Sequence, residues 1–354
     1  MPVKITPPSK QRPIFIIGAG GIVNTAHLPA YSLAGFTVEG ICDIDKKKAE
    51  KTAGKFNIPK IFDSAEEMIK CLPADAILDI AVPAAELPEL LNRLPDHSVV
   101  LMQKPMGEDL VTAKKILETA RTKKLLAAVN FQLRYAPFIL ELKKMMKEGL
   151  LGELTDIEIN VNVYTPWQLW DFLYSAPRVE ILYHSIHYID LVRNLVGEPE
   201  SIYARTIRHP GMLELASVKS TIIMDYGDMI RANILTNHSH VYGLSHQQSY
   251  IKAEGTKGAV KISFGLLKNY PAGEADSFEY ILQENGQYNG WKTKRIEGSW
   301  FPHAFIGSMG QIIRAAEGSI DKPDNSVEDC IKTMACVEAA YISSEAGGTK
   351  PEKV

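Results

Sequence analysis

Lys104, His187 and Tyr183 are the residues whose types and surroundings favour proton and charge chemistry. Lys104 closes the run Ser98-Val99-Val100-Leu101-Met102-Gln103-Lys104-Pro105, which has the apolar character of a buried strand. A lysine fits such a run where it points out of the strand's carboxyl end, the end at which open α/β sheets bind ligands. Pro105 disfavours helix at Lys104 and holds it extended. An ammonium there can stabilise negative charge developing on an oxygen. His187 lies in the run from Glu180 to Val196, which reads as a helix stopped by Gly197 and Pro199. Leu182, Ile186, Ile189 and Val196 form its apolar stripe, and at about 100° per residue Tyr183, His187, Asp190 and Asn194 gather on a polar side. Histidine suits proton transfer near neutral pH, and a tyrosine one turn away can hydrogen-bond it or a substrate. His184 with His187, and His238 with His240 and His246, raise metal ligation. Neither group has a carboxylate or cysteine at ligand spacing, so no metal is expected. His238 to His246 reads as a polar strand and loop at the surface.

Placing these residues requires a scaffold, and the first third supplies one. Ile14-Phe15-Ile16-Ile17 is a β-type run that ends at Gly18-Ala19-Gly20-Gly21 and leads into a helical stretch through Leu33. Strand, glycine turn and helix in that order are the context of a dinucleotide fingerprint. Gly18 permits the tight turn, Gly20 lets backbone approach a pyrophosphate, and the helix N-terminus offers amides to the phosphates. The third glycine of the fingerprint is missing, since Val23 stands there. The next strand, Thr37 to Cys42, stops at Asp43, where an acid accepts from ribose hydroxyls and repels a 2′-phosphate. NAD is therefore expected over NADP, and Lys46, Lys47 and Lys48 read as a solvated helix start. Further strands run from Ala76 to Pro83, Val99 to Lys104 and Leu125 to Val129, with helices such as Leu110 to Thr122 between them. The fold class expected is α/β: an N-terminal Rossmann doubly wound parallel sheet over 1–133. Over 134–354 a C-terminal α+β domain follows, with a large, mostly antiparallel open sheet. Its strands are read at Thr155 to Val163, Ser201 to Ile207, Val218 to Asp225, Met229 to Thr236, Tyr250 to Ala253 and Ala259 to Ser263. Helices at Phe305 to Glu317 and Val327 to Glu345 close the chain.

Composition narrows the partners. The 354 residues carry 39 Lys and Arg against 42 Asp and Glu, a net charge of -3, which gives no sign of nucleic acid as a partner. Cys42, Cys71, Cys330 and Cys336 lack metal-type spacing and read as reduced packing residues. The stretch from Met1 to Pro13 is polar and proline-rich, and no apolar run approaches the roughly 18 residues of a membrane span. A cytoplasmic protein without a membrane partner is expected. An open antiparallel face implies a homodimer or homotetramer.

The ordered set of motifs resembles the glucose–fructose oxidoreductase, inositol dehydrogenase and rhizopine-catabolism (Gfo/Idh/MocA) family. The matches are Gly18-Ala19-Gly20-Gly21-Ile22 with His27-Leu28-Pro29-Ala30, Asp43, Lys104-Pro105, Asn130-Phe131-Gln132-Leu133-Arg134, His187-Tyr188-Ile189-Asp190, Gly255-Thr256-Lys257-Gly258, and Glu338-Ala339-Ala340-Tyr341. The resemblance implies NAD(P)-linked oxidation or reduction of sugars, polyols and cyclitols, with the catalytic lysine at Lys104 and the catalytic histidine at His187. Candidate cofactor residues are Gly18, Gly20, Gly21, Ile22 and Asp43 at the first two strand ends. Ala81, Pro83, Gln103, Lys104 and Gln132 complete that set at the later ones. Gln103 and Tyr183 stand where relatives carry Glu and Asp, so the site lacks two carboxylates and the lysine and histidine pKa values should sit lower. Tyr183 is expected to orient His187 or extend the proton path. Trp167, Trp170 and Trp300 offer flat faces to a sugar ring, and Arg134, Arg178 and His184 offer polar contacts. Two rival functions remain: a non-catalytic NAD-binding sensor, motivated by the missing carboxylates, and an NAD-dependent glycosidase.

Overall fold

The computed structural model describes residues 12–352. They form two compact units. The first takes the chain up to Leu140 together with Gly298–Met334, and the second takes Glu141–Glu297 and the segment from Ala335. The expected division after residue 133 differs from this in one substantial way. The chain returns to the first unit, because Phe305, Met309, Ile312 and Ile313 pack into one core with Ile14, Ile16, Ile41 and Ile77. Their helix, His303–Ala316, has an amphipathic pattern that reports burial but not the surface it is buried against.

In the first unit β1 (Ile14–Ile17), β2 (Val38–Cys42), β3 (Lys60–Ile61), β4 (Ile77–Ile80), β5 (Val99–Met102) and β6 (Leu126–Val129) form a parallel sheet of order β3-β2-β1-β4-β5-β6. β1 and β4 are buried throughout, as apolar runs covered on both faces require. The direction of winding reverses between β1 and β4, the place where such sheets open a crevice. Register aligns the strand ends: Ile17 pairs with Ile80, Ile80 with Met102 and Met102 with Val129. The ladder runs one residue further, with the amides of Gly18, Ala81, Gln103 and Asn130 donating to Cys42, Ile17, Ile80 and Met102, each at 2.8 Å. Four loops therefore leave the sheet from one row. Lys46, Lys47 and Lys48 open the helix Lys46–Phe56 as solvated residues, behind the Asp45 carboxylate that accepts from the Lys47 amide at 3.1 Å.

The second unit is built on a nine-stranded sheet of order β14-β13-β12-β11-β7-β10-β9-β8, in which β14 is Gln287–Tyr288, with β15 (Lys292–Thr293) beside β13 (Ser277–Glu284). Its centre is β7 (Leu154–Asn162), antiparallel to β11 (Gln248–Gly255) and parallel to β10 (Arg231–Asn237). The remaining pairs are antiparallel, among them β8 (Ser201–Ile207) on β9 (Lys219–Asp225) and the hairpin of β11 with β12 (Gly258–Ser263). Burial alternates along β9 and β10, so one face is covered, while Tyr203, Ile223 and Leu235 are exposed on the other. The edge strand β8 is closed by the last helix, Val327–Ala346: Ser343 and Ser344 hydroxyls accept from the amides of Ala204 and Thr206 at 2.9 and 3.0 Å. Among the described residues no helix is long and apolar enough to cross a membrane.

Candidate active site

At the carboxyl edge of the parallel sheet the glycine turn is shaped by contact. Gly18 has φ +107°, and a Cβ on it would lie 2.4 Å from the Ala81 carbonyl oxygen. Only glycine meets both conditions. Gly20 and Gly21 are exposed, with nothing within 4 Å of the Cβ position, so the backbone there is open to a large anion. Asp43 follows β2 and fixes the turn: Oδ2 accepts from the Ala19 amide at 2.6 Å and Oδ1 from the Asp45 amide at 2.8 Å. Ile22 is half-buried at the start of the helical stretch, Ala81 and Pro83 leave β4 with accessible surface, and Gln132 is buried with no hydrogen-bond partner at its Oε1. An open glycine cradle, a carboxylate at the second strand end and an unanswered buried amide oxygen fit a dinucleotide in this edge.

Lys104 follows Gln103, whose Oε1 accepts from the Lys104 amide at 3.1 Å; the Lys104–Pro105 peptide is cis. Lys104 keeps some accessible surface, yet desolvation pushes its ammonium down from the usual lysine range to about 8. The cause is burial.

A buried polar group escaped the sequence reading. Asp79, in the middle of β4, is fully enclosed; its Oδ2 meets His27 Nδ1 at 2.7 Å and accepts from the Tyr31 hydroxyl at 2.7 Å. His27 Nε2 meets Asn130 Nδ2 at 3.3 Å. Burial and Asp79 together hold the Tyr31 phenol well above its ordinary pKa. The group ties the helical stretch after the glycine turn to β4 and to the end of β6. An aspartate inside an apolar strand was its available signal, but its partner histidine lies 52 residues away.

In the second unit the run from Ile181 begins with a π-type turn (Ile181–Ser185) and continues as an α-helix (Ile186–Val196), ended by Gly197 at φ 109°. The wider turn changes the phase of the helix face. Tyr183 and Asp190 are buried rather than on the expected polar side, and between residues 181 and 193 only His184 and His187 keep accessible surface. Tyr183 packs its ring against Phe172 at 5.5 Å. Trp167 is buried, edge-on to His184 at 5.1 Å, so it walls the histidine instead of presenting a flat face. His238 and His240 are also buried, contrary to a surface reading, and His246 alone of that cluster is exposed.

Both arginines are committed within the protein. Arg134 is buried, donating to the Asp324 carbonyl and the Asp329 carboxylate, each at 2.6 Å. Arg178 grips Glu338 with two bonds of 2.7 and 3.0 Å and lies over the Tyr341 ring at 4.6 Å. Trp300 is buried beside Phe301, and Trp170 packs on Tyr270.

Comparison with known proteins agrees with this construction. The NAD-binding Rossmann-fold model of the GFO_IDH_MocA oxidoreductase family matches residues 13–131, and the GFO/IDH/MocA C-terminal domain matches 139–261. A D-apiose dehydrogenase of Rhizobium rhizogenes is 23% identical over 350 residues, 94% of this chain and 95% of its own length. An oxidoreductase from Agrobacterium radiobacter, solved with NAD+, L-tartaric acid and magnesium, superposes with a TM-score of 0.78 at 20% identity, covering 95% of this chain and 97% of its own. An aldose–aldose oxidoreductase from Caulobacter crescentus, solved with glycerol, gives a TM-score of 0.78 at 14% identity over 96% and 99% of the two chains. At these identities the two structures speak to the fold alone. With both halves matched in order, the chain belongs to the Gfo/Idh/MocA family of oxidoreductases.

Proposed function

We propose that this chain is an NAD-dependent dehydrogenase acting at a carbinol or keto carbon of a sugar, polyol or cyclitol, with Lys104 and His187 serving its proton relay. Lys104 carries the reading: a charged side chain at the in-register strand ends, beside the glycine cradle's sheet edge and desolvated to a pKa of about 8. It is cationic at neutral pH and strengthened by its dry surroundings as a hydrogen-bond donor to substrate oxygen. His187, accessible on its helix, takes the hydroxyl proton as general base. When bound, the nicotinamide supplies the acceptor or donor of hydride. Gly18, Gly20, Gly21 and Ile22 seat the pyrophosphate, and Asp43 receives the ribose and disfavours a 2′-phosphate. Lys46 does not oppose that choice, since it pairs with Asp63. Gln103, Ala81, Pro83 and Gln132 line the same edge. The substrate class follows the relative named for apiose. Tyr203, Ile223 and Leu235 on the open sheet face support a homodimer or homotetramer.

The test is a panel of D-apiose, D-glucose, D-xylose and myo-inositol with NAD and with NADP, followed at the nicotinamide absorbance. Turnover with NAD is expected on at least one. Cofactor binding without turnover on any would leave a sensor. Release of sugar from an aryl glycoside with no net reduced cofactor would make the protein a glycosidase instead.

A further inference from the structure

The His184 ring is held by two others. His238 lies over it with ring centroids 4.4 Å apart at 38°, and Trp167 meets it edge-on at 84°. His238 is itself fixed on several sides. Its amide donates to the Val218 carbonyl at 3.0 Å, its Nδ1 is 2.9 Å from the Thr165 hydroxyl, and Trp167 touches its edge at 6.0 Å. Trp167 keeps its indole N–H buried without a hydrogen-bond partner, so the residue contributes its ring rather than its polar end. Of the three rings only that of His184 reaches accessible surface.

We propose that His238 is a positioning residue, which with Trp167 sets the His184 imidazole so that it presents a ring nitrogen to a substrate hydroxyl. This deepens the reading given above and rests on it. The charge state of the neighbours agrees. His238 Nε2 is 3.7 Å from Glu180 Oε1, but burial takes His238 down to about 3 and raises Glu180, both of which oppose an ion pair between them. Glu180 is instead held by hydroxyls, accepting from Ser185 at 2.7 Å and Thr236 at 2.8 Å. A neutral His238 places no charge beside the His184 ring, which its centroid approaches to 4.4 Å. A histidine fills the position better than an aliphatic side chain because it supplies both a flat face and the anchor to Thr165.

The experiment uses the full chain and whichever of D-apiose, D-glucose, D-xylose and myo-inositol turns over fastest. His238→Ala should raise KM for that sugar by about tenfold, the upper range for a ring contact, with the dissociation constant of NAD unchanged. His238→Phe keeps the ring and should recover most of the loss, which also guards against a misfolded alanine variant. In a His184→Ala background His238→Ala should add less than about twofold, because the two positions act through one contact. Independent effects in that cycle, or an unchanged KM in His238→Ala, would overturn the role while leaving the dehydrogenase intact. Absence of turnover in the unaltered protein would remove both.

Discussion

The sheet edge that carries Lys104 and the helix that carries His184 and His187 are made from different materials. At the edge the determinants are backbone ones: strand ends in register, amides extending the ladder by one residue, and a glycine pressed against a carbonyl. At the helix they are side-chain ones, with aromatic rings packed on one another and a buried acid held by hydroxyls. A backbone site tolerates little adjustment, because peptide geometry cannot flex by an ångström without breaking the ladder. A side-chain site can be retuned by exchanging one ring for another. The parallel sheet edge is therefore the more fixed of the two, and the histidine face the more readily altered.

That contrast can be broken at several points. Lys104→Ala should lower turnover by about a hundredfold to a thousandfold, the cost of losing one preorganised donor, with NAD affinity within about twofold by fluorescence titration. Near-normal turnover would remove the edge from the chemistry. Gly18→Ala should abolish NAD binding and destabilise the protein by about 3 kcal/mol in urea unfolding, since the new methyl meets a carbonyl at positive φ. Asp79→Ala should cost about 3 kcal/mol by the same measurement, because it strips partners from buried His27 and Tyr31.

Acidity tests the comparison more gently. With a folded pKa of about 8, Lys104 loses its proton as pH rises through 8, so a rate that needs the ammonium should fall there. Lys104→Arg should move that limb upward. A rate that rises through pH 8 would make Lys104 a base instead. Stability moves the other way. The unfolded chain holds this proton up to about 10.5, so between 8 and 10.5 the folded protein should gain on its Lys104→Met variant as pH climbs. The smallest effect belongs to Glu180, whose pKa is raised by burial. Above about 4.5 the folded state retains a proton that the unfolded state releases, so stability falls with rising pH. Glu180→Gln lacks that slope and should overtake the unaltered protein as pH increases, measured by thermal melts from pH 4 to 7.

How far each region was legible follows from its material. Ile14 to Gly21, the stop at Asp43 and Lys104 after an apolar run are local patterns, and local patterns survive in sequence. The histidine face was only partly legible, because the π-type turn at Ile181–Ser185 breaks the period that would place side chains, and so Tyr183 and Asp190 went to the wrong side. His238 was misread because its burial depends on Thr165 and Trp167 from a distant segment. The strand Ser277–Glu284 and its short partners were not read at all; their mixed polar pattern gives little alternation to detect. The bonds of Arg134 and Arg178 span 190 and 160 residues, beyond any local signal.

The return of Gly298–Met334 to the first unit has a consequence for synthesis. On the ribosome, the glycine turn, Asp43 and Lys104 are all made before the helix that covers one face of their sheet. The chain between Leu140 and Gly298 must be translated in the interval, on the order of ten to thirty seconds at ordinary elongation rates. Throughout that time the nascent sheet exposes the surface that Phe305, Met309, Ile312 and Ile313 later bury. The first unit of this protein is thus begun early and completed only once residue 334 is made, after most of the second unit has been translated.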